Sequence, residues 1–148
     1  MATQGIKIMA ETGNPSPLDD EVEAAIDAMN AGEVILSGEG VGTGNGQRTV
    51  TFTATRAHPL VSVVIMIAPS PDWFVGVHRV ILFENDEWKD EVVVNLPPYD
   101  AGTDSGSTYG SGNSATNPQQ PISQITGFPL DVAGVVAPLG TFTFRRTN

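Results

Sequence analysis

The sequence predicts an all-β fold, an antiparallel β-sandwich with one or two helices at its periphery. Glycine and proline are frequent, at 16 and 11 of the 148 residues, so turns and loops are numerous. Short segments rich in Val, Ile, Phe and Thr recur between these turn residues, as strands do. Helical periodicity is confined to the first third of the chain. With 40% hydrophobic residues, residues 1–148 are expected to form one domain with a modest core.

Two helices are predicted near the start of the chain. The first is expected over residues 4–11, ending at Gly13. Ser16 followed by Pro17 fits the N-cap and first position of a second helix. The apolar face of this helix repeats at spacings of four and three residues and comprises Leu18, Val22, Ile26 and Met29. Gly32 is the predicted stop.

The strand predictions begin after a change of period. Residues 50–55 alternate apolar side chains with threonine, the pattern of a half-buried strand. Residues 60–67 are almost all apolar and mostly β-branched, which predicts a central strand buried on both faces. Further strands are expected at 74–83, 91–96 and 140–145.

Two segments are predicted to be loops. Residues 37–48 are rich in glycine. Residues 97–129 show little apolar periodicity and hold many Ser, Gly, Asn, Gln and Pro residues. Loops of this length in compact domains are usually functional or disordered.

Composition excludes several function classes. The net charge of −10, with only seven Lys and Arg, opposes nucleic-acid binding and direct docking on an anionic membrane. With no cysteine, disulfides, thiolate zinc sites and cysteine nucleophiles are excluded. No apolar run is long enough to span a membrane, so no direct membrane insertion is expected. The first residues lack the pattern of a signal peptide, so the protein is cytosolic or its signal lies upstream.

Aspartates at strand-to-loop junctions are the candidate metal ligands. Asp72 lies among prolines in Pro-Ser-Pro-Asp-Trp, and Asp100 and Asp104 flank Ala-Gly-Thr. Calcium takes six to eight oxygen ligands in flexible geometry, which neighbouring loops at one end of a sandwich can supply. The spacing does not fit an EF-hand, since Gly102 and Ser111 occupy ligand positions. The alternative is that Asp72 and Asp100 cap turns through their own backbone amides.

Catalytic patterns are weaker. His58 precedes a proline at the entrance to an apolar strand, which favours a turn or packing role, and His78 has no histidine partner four residues on. A nucleophile elbow of the form Gly-x-Ser-x-Gly does not occur. The chain is therefore not expected to be an enzyme, and a hydrolase that uses a serine, His58 and an aspartate is the remaining catalytic alternative.

Around both aspartate segments the sequence resembles the spondin N-terminal domain family. The long matches are more specific than a short motif, and include His-Pro-Leu-Val-Ser-Val-Val, Met-Ile-Ala-Pro-Ser-Pro-Asp-Trp-Phe-Val-Gly-Val and Pro-Tyr-Asp-Ala-Gly-Thr-Asp-Ser-Gly-Ser-Thr-Tyr. Further matches lie at residues 9–13, 113–119 and 122–126. The resemblance covers essentially the whole chain.

The resemblance implies a β-sandwich related to calcium-dependent lipid-binding domains, in a non-catalytic adhesion or matrix module that is secreted or held at the cell surface. It implies calcium ligands at Asp72 and Asp100, with Asp104 in support. The implied partners are a cell-surface or matrix protein or a glycan. Two departures stand out: Thr53 occupies a position that is acidic in relatives, and Phe83 one where animal relatives carry cysteine.

The resemblance also implies that family domains carry about one more strand pair upstream. Relative to the family, this chain is therefore expected to be incomplete at its N-terminus. Missing strands would leave unpaired sheet edges, which favour pairing with another chain. A structural subunit, completed by a strand from a neighbour or by self-association, is the alternative function.

Overall fold

A computed structural model of the protein describes residues 1–37, 40–42 and 44–147. It is an all-β fold of antiparallel sheets with two helices, the class that the sequence predicts. The helices are α1 (Gln4–Thr12) and α2 (Leu18–Asp27). The strands of the described residues are β1 (Leu60–Met66), β2 (Trp73–Ile81), β3 (Phe83–Glu84), β4 (Glu87–Trp88), β5 (Glu91–Asn95), β6 (Pro98–Asp100), β7 (Ser123–Gln124) and β8 (Thr141–Arg145).

The main sheet has four strands in the order β1-β2-β6-β7. All of its neighbouring strands are antiparallel, and the register sets Met66 opposite Phe74 and Trp73 opposite Asp100. Two separate two-stranded sheets pair β3 with β4 and β5 with β8. The strands predicted at 74–83, 91–96 and 140–145 are confirmed, with the first divided between β2 and β3.

The core lies between α1 and the main sheet. Met9 and Ala10 of α1 are buried against Phe74 of β2 and Ala101, the residue that follows β6. The helix ends where Gly13 takes a left-handed conformation (φ 74°) and its amide donates to the Met9 carbonyl. The predicted end of the first helix is thereby confirmed, and this helix covers the strands that lead to the aspartates.

The second helix differs from its prediction at both ends. Ser16 was expected as the N-cap, but Pro17 occupies that position and provides no side-chain hydrogen bond. At the other end α2 stops at Asp27, well before Gly32, and Met29 (φ 58°) is 84% exposed rather than part of the apolar face. In the described part of the chain no helix is long and apolar enough to cross a membrane.

Residues 50–55 were predicted as a strand, and this prediction is wrong, because they form no ladder with another strand. Their alternation still has a structural counterpart, since the Phe52 ring meets Phe144 of β8 edge-on at 6.4 Å. The amide of Thr53 donates to Glu33 Oε2 at 3.0 Å instead of to a neighbouring strand. Of the apolar side chains of this segment, Phe52 thus contacts β8 but remains 38% exposed, and the alternation did not predict the backbone partner.

The apolar segment 60–67 was predicted to be a central strand. It forms β1, but within the described residues β1 pairs only with β2 and is an edge of the main sheet. Leu60 and Ile65 are accordingly 38% and 41% exposed. A β-branched run predicts a strand reliably, whereas its place in the sheet depends on which strands are available as neighbours.

The predicted loops are largely confirmed. Segment 97–129 is mostly irregular, although it contains the short strands β6 and β7. In segment 37–48 the described residues form neither helix nor strand, and Gly38, Glu39 and Thr43 lie outside the described residues.

Gly102 holds the start of the long loop against a second part of the same loop. Its φ is +73°, and a Cβ at this position would collide with the backbone carbonyl of Gln120. The close approach is fixed by a hydrogen bond of 2.8 Å from the Gln120 amide to the Gly102 carbonyl. Glycine is therefore required here on two counts, conformation and space.

We expect Gly102→Ala to lower the free energy of unfolding by about 2 to 4 kcal/mol, because it adds left-handed strain and a backbone collision. Urea denaturation measures this change. Gly112→Ala is the matched control, since a Cβ at Gly112 meets nothing within 4 Å. Equal unfolding midpoints for the two variants would contradict the prediction.

Candidate functional site

Strand pairing brings Asp72 and Asp100 to the same end of the main sheet. Asp72 directly precedes β2 and Asp100 ends β6, with Trp73 opposite Asp100 in the register. One further backbone bond, from the Ala101 amide to the Asp72 carbonyl at 3.1 Å, continues the pairing past the strand ends. Two residues that lie 28 positions apart in sequence are therefore neighbours in space.

The Asp72 side chain is fully buried and holds the loop that follows β6. Its Oδ2 accepts from the Thr103 amide at 2.7 Å, the Thr103 hydroxyl at 3.1 Å and the Asp104 amide at 3.0 Å. The sequence alternative for Asp72, a cap of its own turn, is therefore wrong. Thr103, only 2% exposed, is a residue of this cluster that sequence reasoning missed.

The second carboxylate oxygen of Asp72 has a different environment. Its Oδ1 is buried without a hydrogen-bond partner. An unsatisfied buried acceptor costs free energy, and the cost is greater when it carries charge. A hydrogen-bond donor or a cation at Oδ1 would therefore stabilise the arrangement.

Asp100 lies close enough to Asp72 and Asp104 for their negative charges to affect its carboxyl group. Burial raises the pKa of its carboxyl above the ordinary value, and the nearby charge of Asp72 raises it further, with a smaller contribution from Asp104. The Gly102 amide, which donates to Asp100 Oδ1 at 2.7 Å, and the Trp73 side chain oppose the rise. The predicted turn cap at Asp100 is thus confirmed, and the carboxyl also lies within electrostatic range of Asp72.

Asp104 fastens the loop with both of its oxygens. Oδ1 accepts from the Gly106 amide and Oδ2 from the Ser114 amide, each at 2.7 Å. The residue is only 5% exposed. Its carboxylate therefore joins Gly106 and Ser114, two points of the loop that lie eight residues apart.

The aspartate side chains supply only part of the oxygen ligands that calcium requires. Among the described residues, no group of three or more His, Cys, Asp or Glu side chains is arranged to hold a metal ion. The two features of the site that are compatible with a cation are the unpartnered buried oxygen of Asp72 and the Asp100 carboxyl, whose pKa is raised by burial and then by the charge of Asp72. Backbone carbonyls and water would have to complete the six to eight ligands of calcium.

Thr53 is not part of this cluster. It lines a separate, open recess of about 440 Å³ together with Glu33 and His58, at the end of α2. The resemblance implied that Thr53 occupies a ligand position, but in this structure Thr53 lies in the recess and not beside the three aspartates. At this recess the Thr53 amide donates to Glu33 Oε2.

Neither histidine is organised for catalysis in the described residues. His58 closes a turn with Thr55 through its amide, and its Nε2 lies 3.4 Å from the Met29 carbonyl, as a turn role predicts. His78 Nδ1 lies 3.3 Å from the hydroxyl of Ser62, but this exposed oxygen also accepts from the Arg79 amide.

Phe83, where the resemblance implied a cysteine in animal relatives, packs against an aromatic ring and a guanidinium group. Its ring lies 4.9 Å from the Trp88 ring across the β3–β4 pair. The guanidinium of Arg56 lies 5.1 Å from the ring centroid of Phe83, a cation–π contact. Phe83 is thus held by noncovalent packing alone.

Fold and site together define an all-β domain whose strand ends are joined by a buried aspartate cluster. Comparison with known proteins agrees with this class. The Spondin_N family model matches residues 1–135, and the chain belongs to the spondin N-terminal domain family.

Individual relatives give the same result. Over 124 residues the chain is 43% identical to human Spondin-2 and 42% identical to Spondin-2 of Rattus norvegicus. It is 35% identical to Spondin-1 of Rattus norvegicus over 130 residues. These matches cover 84% of the chain, but only 38% of each Spondin-2 and 16% of that Spondin-1. The chain thus spans well under half of these relatives.

We expect Asp72→Asn to lower the pKa of Asp100 in the calcium-free protein, because it removes the second-largest cause of the rise and leaves burial in place. Titration of the side-chain carboxyl carbons by NMR measures this shift. Asp20→Asn, in the first turn of α2, is the control and should leave Asp100 unchanged. A pKa of Asp100 that is the same in wild type and Asp72→Asn would show that the two carboxylates do not interact.

Proposed function

We propose that this domain is a non-catalytic extracellular binding module, of matrix or cell-surface type, whose loops are stabilised by calcium. The observation that carries the calcium proposal is the buried Oδ1 of Asp72, which has no partner and lies in a cluster of like charges. Membership of the spondin N-terminal family supports the extracellular binding role. A cation would supply positive charge where the chain places several negative groups.

The residues have separate tasks in this proposal. Asp72 would offer Oδ1 to the cation while its Oδ2 keeps the loop in place through Thr103. Asp100 would be the second ligand, and Asp104 would fix the loop around them. Bound calcium supplies electrostatic stabilisation and hard-oxygen coordination. Its effect would be to hold the loop after β6 ready for a matrix or cell-surface protein or glycan.

We expect calcium to raise the unfolding temperature and Asp100→Asn to remove most of the gain. Differential scanning calorimetry with calcium and with chelator measures both effects. In chelator Asp100→Asn should not be destabilised, because the variant keeps an oxygen for the Gly102 amide and removes like-charge repulsion. Asp86→Asn, at an exposed side chain, is the control and should keep the full calcium gain. Identical unfolding temperatures of wild type with and without calcium would refute the calcium site.

Without calcium, the raised pKa of Asp100 makes the free energy of unfolding depend on pH. Because the folded-state pKa of Asp100 lies above its ordinary value of 3.8, the folded state favours the protonated carboxyl. This stabilising contribution is complete below that value and is lost as pH rises through the folded-state pKa. Calcium would oppose the loss, since it favours the ionised form.

A structural subunit is the second candidate function. Within the described residues, one edge of β1 is not paired with another strand, and two apolar side chains of β1 are exposed. An uncharged, apolar edge strand is a template for a strand from another chain.

If strand donation between copies is the function, the purified chain should form dimers or larger assemblies. Size-exclusion chromatography with light scattering measures the mass directly. Ile65→Lys, which places a charge on the β1 edge, should restore the monomer, while Val93→Lys on the exposed face of β5 should not. A monodisperse wild-type monomer at all concentrations would exclude this function for the chain alone.

A further inference from the structure

Residues 105–114 of the long loop form a closed loop of their own, here called the tip loop. The chain changes from the buried residues 101–104 to an exposed segment at Ser105. Its base is closed by the bond from Ser114 to Asp104 Oδ2, by the Ser105 amide on the Ser114 carbonyl at 2.8 Å, and by contact of the two serine hydroxyls at 2.8 Å. The tip loop therefore begins and ends at one fixed point.

The end of the tip loop is also ordered. Thr108 and Ser111 form a turn, in which the Ser111 amide donates to the Thr108 carbonyl and the Thr108 amide to the Ser111 hydroxyl. Between them, the Tyr109 ring lies edge-on to Trp73, with centroids 5.4 Å apart. Trp73 is 2% exposed, whereas Tyr109 is 43% exposed. A buried ring thus supports an aromatic side chain that faces solvent.

Charge distinguishes this surface from the rest of the protein. Residues 105–130 contain no Asp, Glu, Lys, Arg or His, although the chain carries a net charge of −10. Interface cores are depleted in charged residues and enriched in tyrosine. The absence of cationic side chains disfavours polyanionic ligands, such as sulfated glycans and anionic headgroups, which basic residues recognise.

The surroundings of the tip loop leave room for a partner. A Cβ at Gly110 or Gly112 would meet no atom within 4 Å, so these glycines do not serve close packing. A recess of about 180 Å³ adjoins the loop and is lined by Glu11, Thr12, Ser70, Pro71, Asp104, Ser111 and Asn113. Its carboxylates and hydroxyls suit a side chain that donates hydrogen bonds.

We propose that the tip loop is the contact surface for a protein partner and that Tyr109 is its anchor. Tyr, Ser, Gly and Asn are the residues that dominate antibody paratopes, where tyrosine supplies contact area and the small residues adapt. Because the loop is already closed at its base and supported by Trp73, little ordering cost remains on binding. The inference rests on the proposed function as a binding module.

The test measures binding of labelled protein to decellularised fibroblast matrix in calcium-containing buffer. Tyr109→Ala should weaken binding by about tenfold or more, as loss of a hot-spot tyrosine does. Ser107→Arg should weaken it similarly, because it adds charge and bulk to an exposed loop position while leaving Tyr109 on Trp73. Phe128→Ala removes a 72% exposed aromatic outside the tip loop and should bind within about twofold of wild type. Circular dichroism checks that each variant is folded.

Protease and glycosidase treatment of the matrix identify the partner class. Loss of binding after protease, but not after glycosidase, supports a protein partner. Binding that survives protease and is lost with glycosidase overturns the inference in favour of a glycan. If the wild type binds the matrix and both loop variants bind equally well, the tip loop is not the contact surface, while the proposed matrix-binding function stands. A wild-type protein that does not bind the matrix refutes the proposed matrix-binding function itself.

Discussion

The bonds from Thr103 and Asp104 to one oxygen of Asp72 are the constraint on which the rest of the site depends. They join the turn between β1 and β2 to the loop after β6, across 31 positions of sequence. Asp104, which closes the base of the tip loop, takes its position from this junction. Because the accepting oxygen is buried and charged, each bond is of the stronger, charge-assisted kind. A single buried carboxylate thus organises a loop with little apolar packing of its own.

The carboxylate of Asp72 also causes electrostatic repulsion within the site. Placing Asp72 out of solvent near Asp100 is unfavourable unless an opposite charge or a proton compensates, and the raised pKa of Asp100 records this. A carboxyl whose pKa is shifted by burial and by a specific charged neighbour marks a candidate functional site. The fold around them, with α1 covering β1 and β2, keeps the strand ends in register while the loop carries the surface chemistry.

Local signals in the sequence were sufficient for much of this structure. Gly13 marked a helix end because only its left-handed conformation closes that turn, and the β-branched run at 60–67 marked a strand. What failed were nonlocal features: the edge position of β1, and the missing ladder of residues 50–55. Asp72 and Asp100 were identified from their turn context. Thr103 was missed, since an ordinary threonine becomes important only through a carboxylate 31 residues away.

The contact of Phe83 with Trp88 and Arg56 has a consequence for where the domain can fold. A disulfide restricts the unfolded chain and needs an oxidant to form. Stacked rings and a guanidinium act only in the folded state, and no thiol chemistry limits their assembly. This part of the domain can therefore reach its native packing under reducing or oxidising conditions alike, and heating cannot scramble it through disulfide exchange.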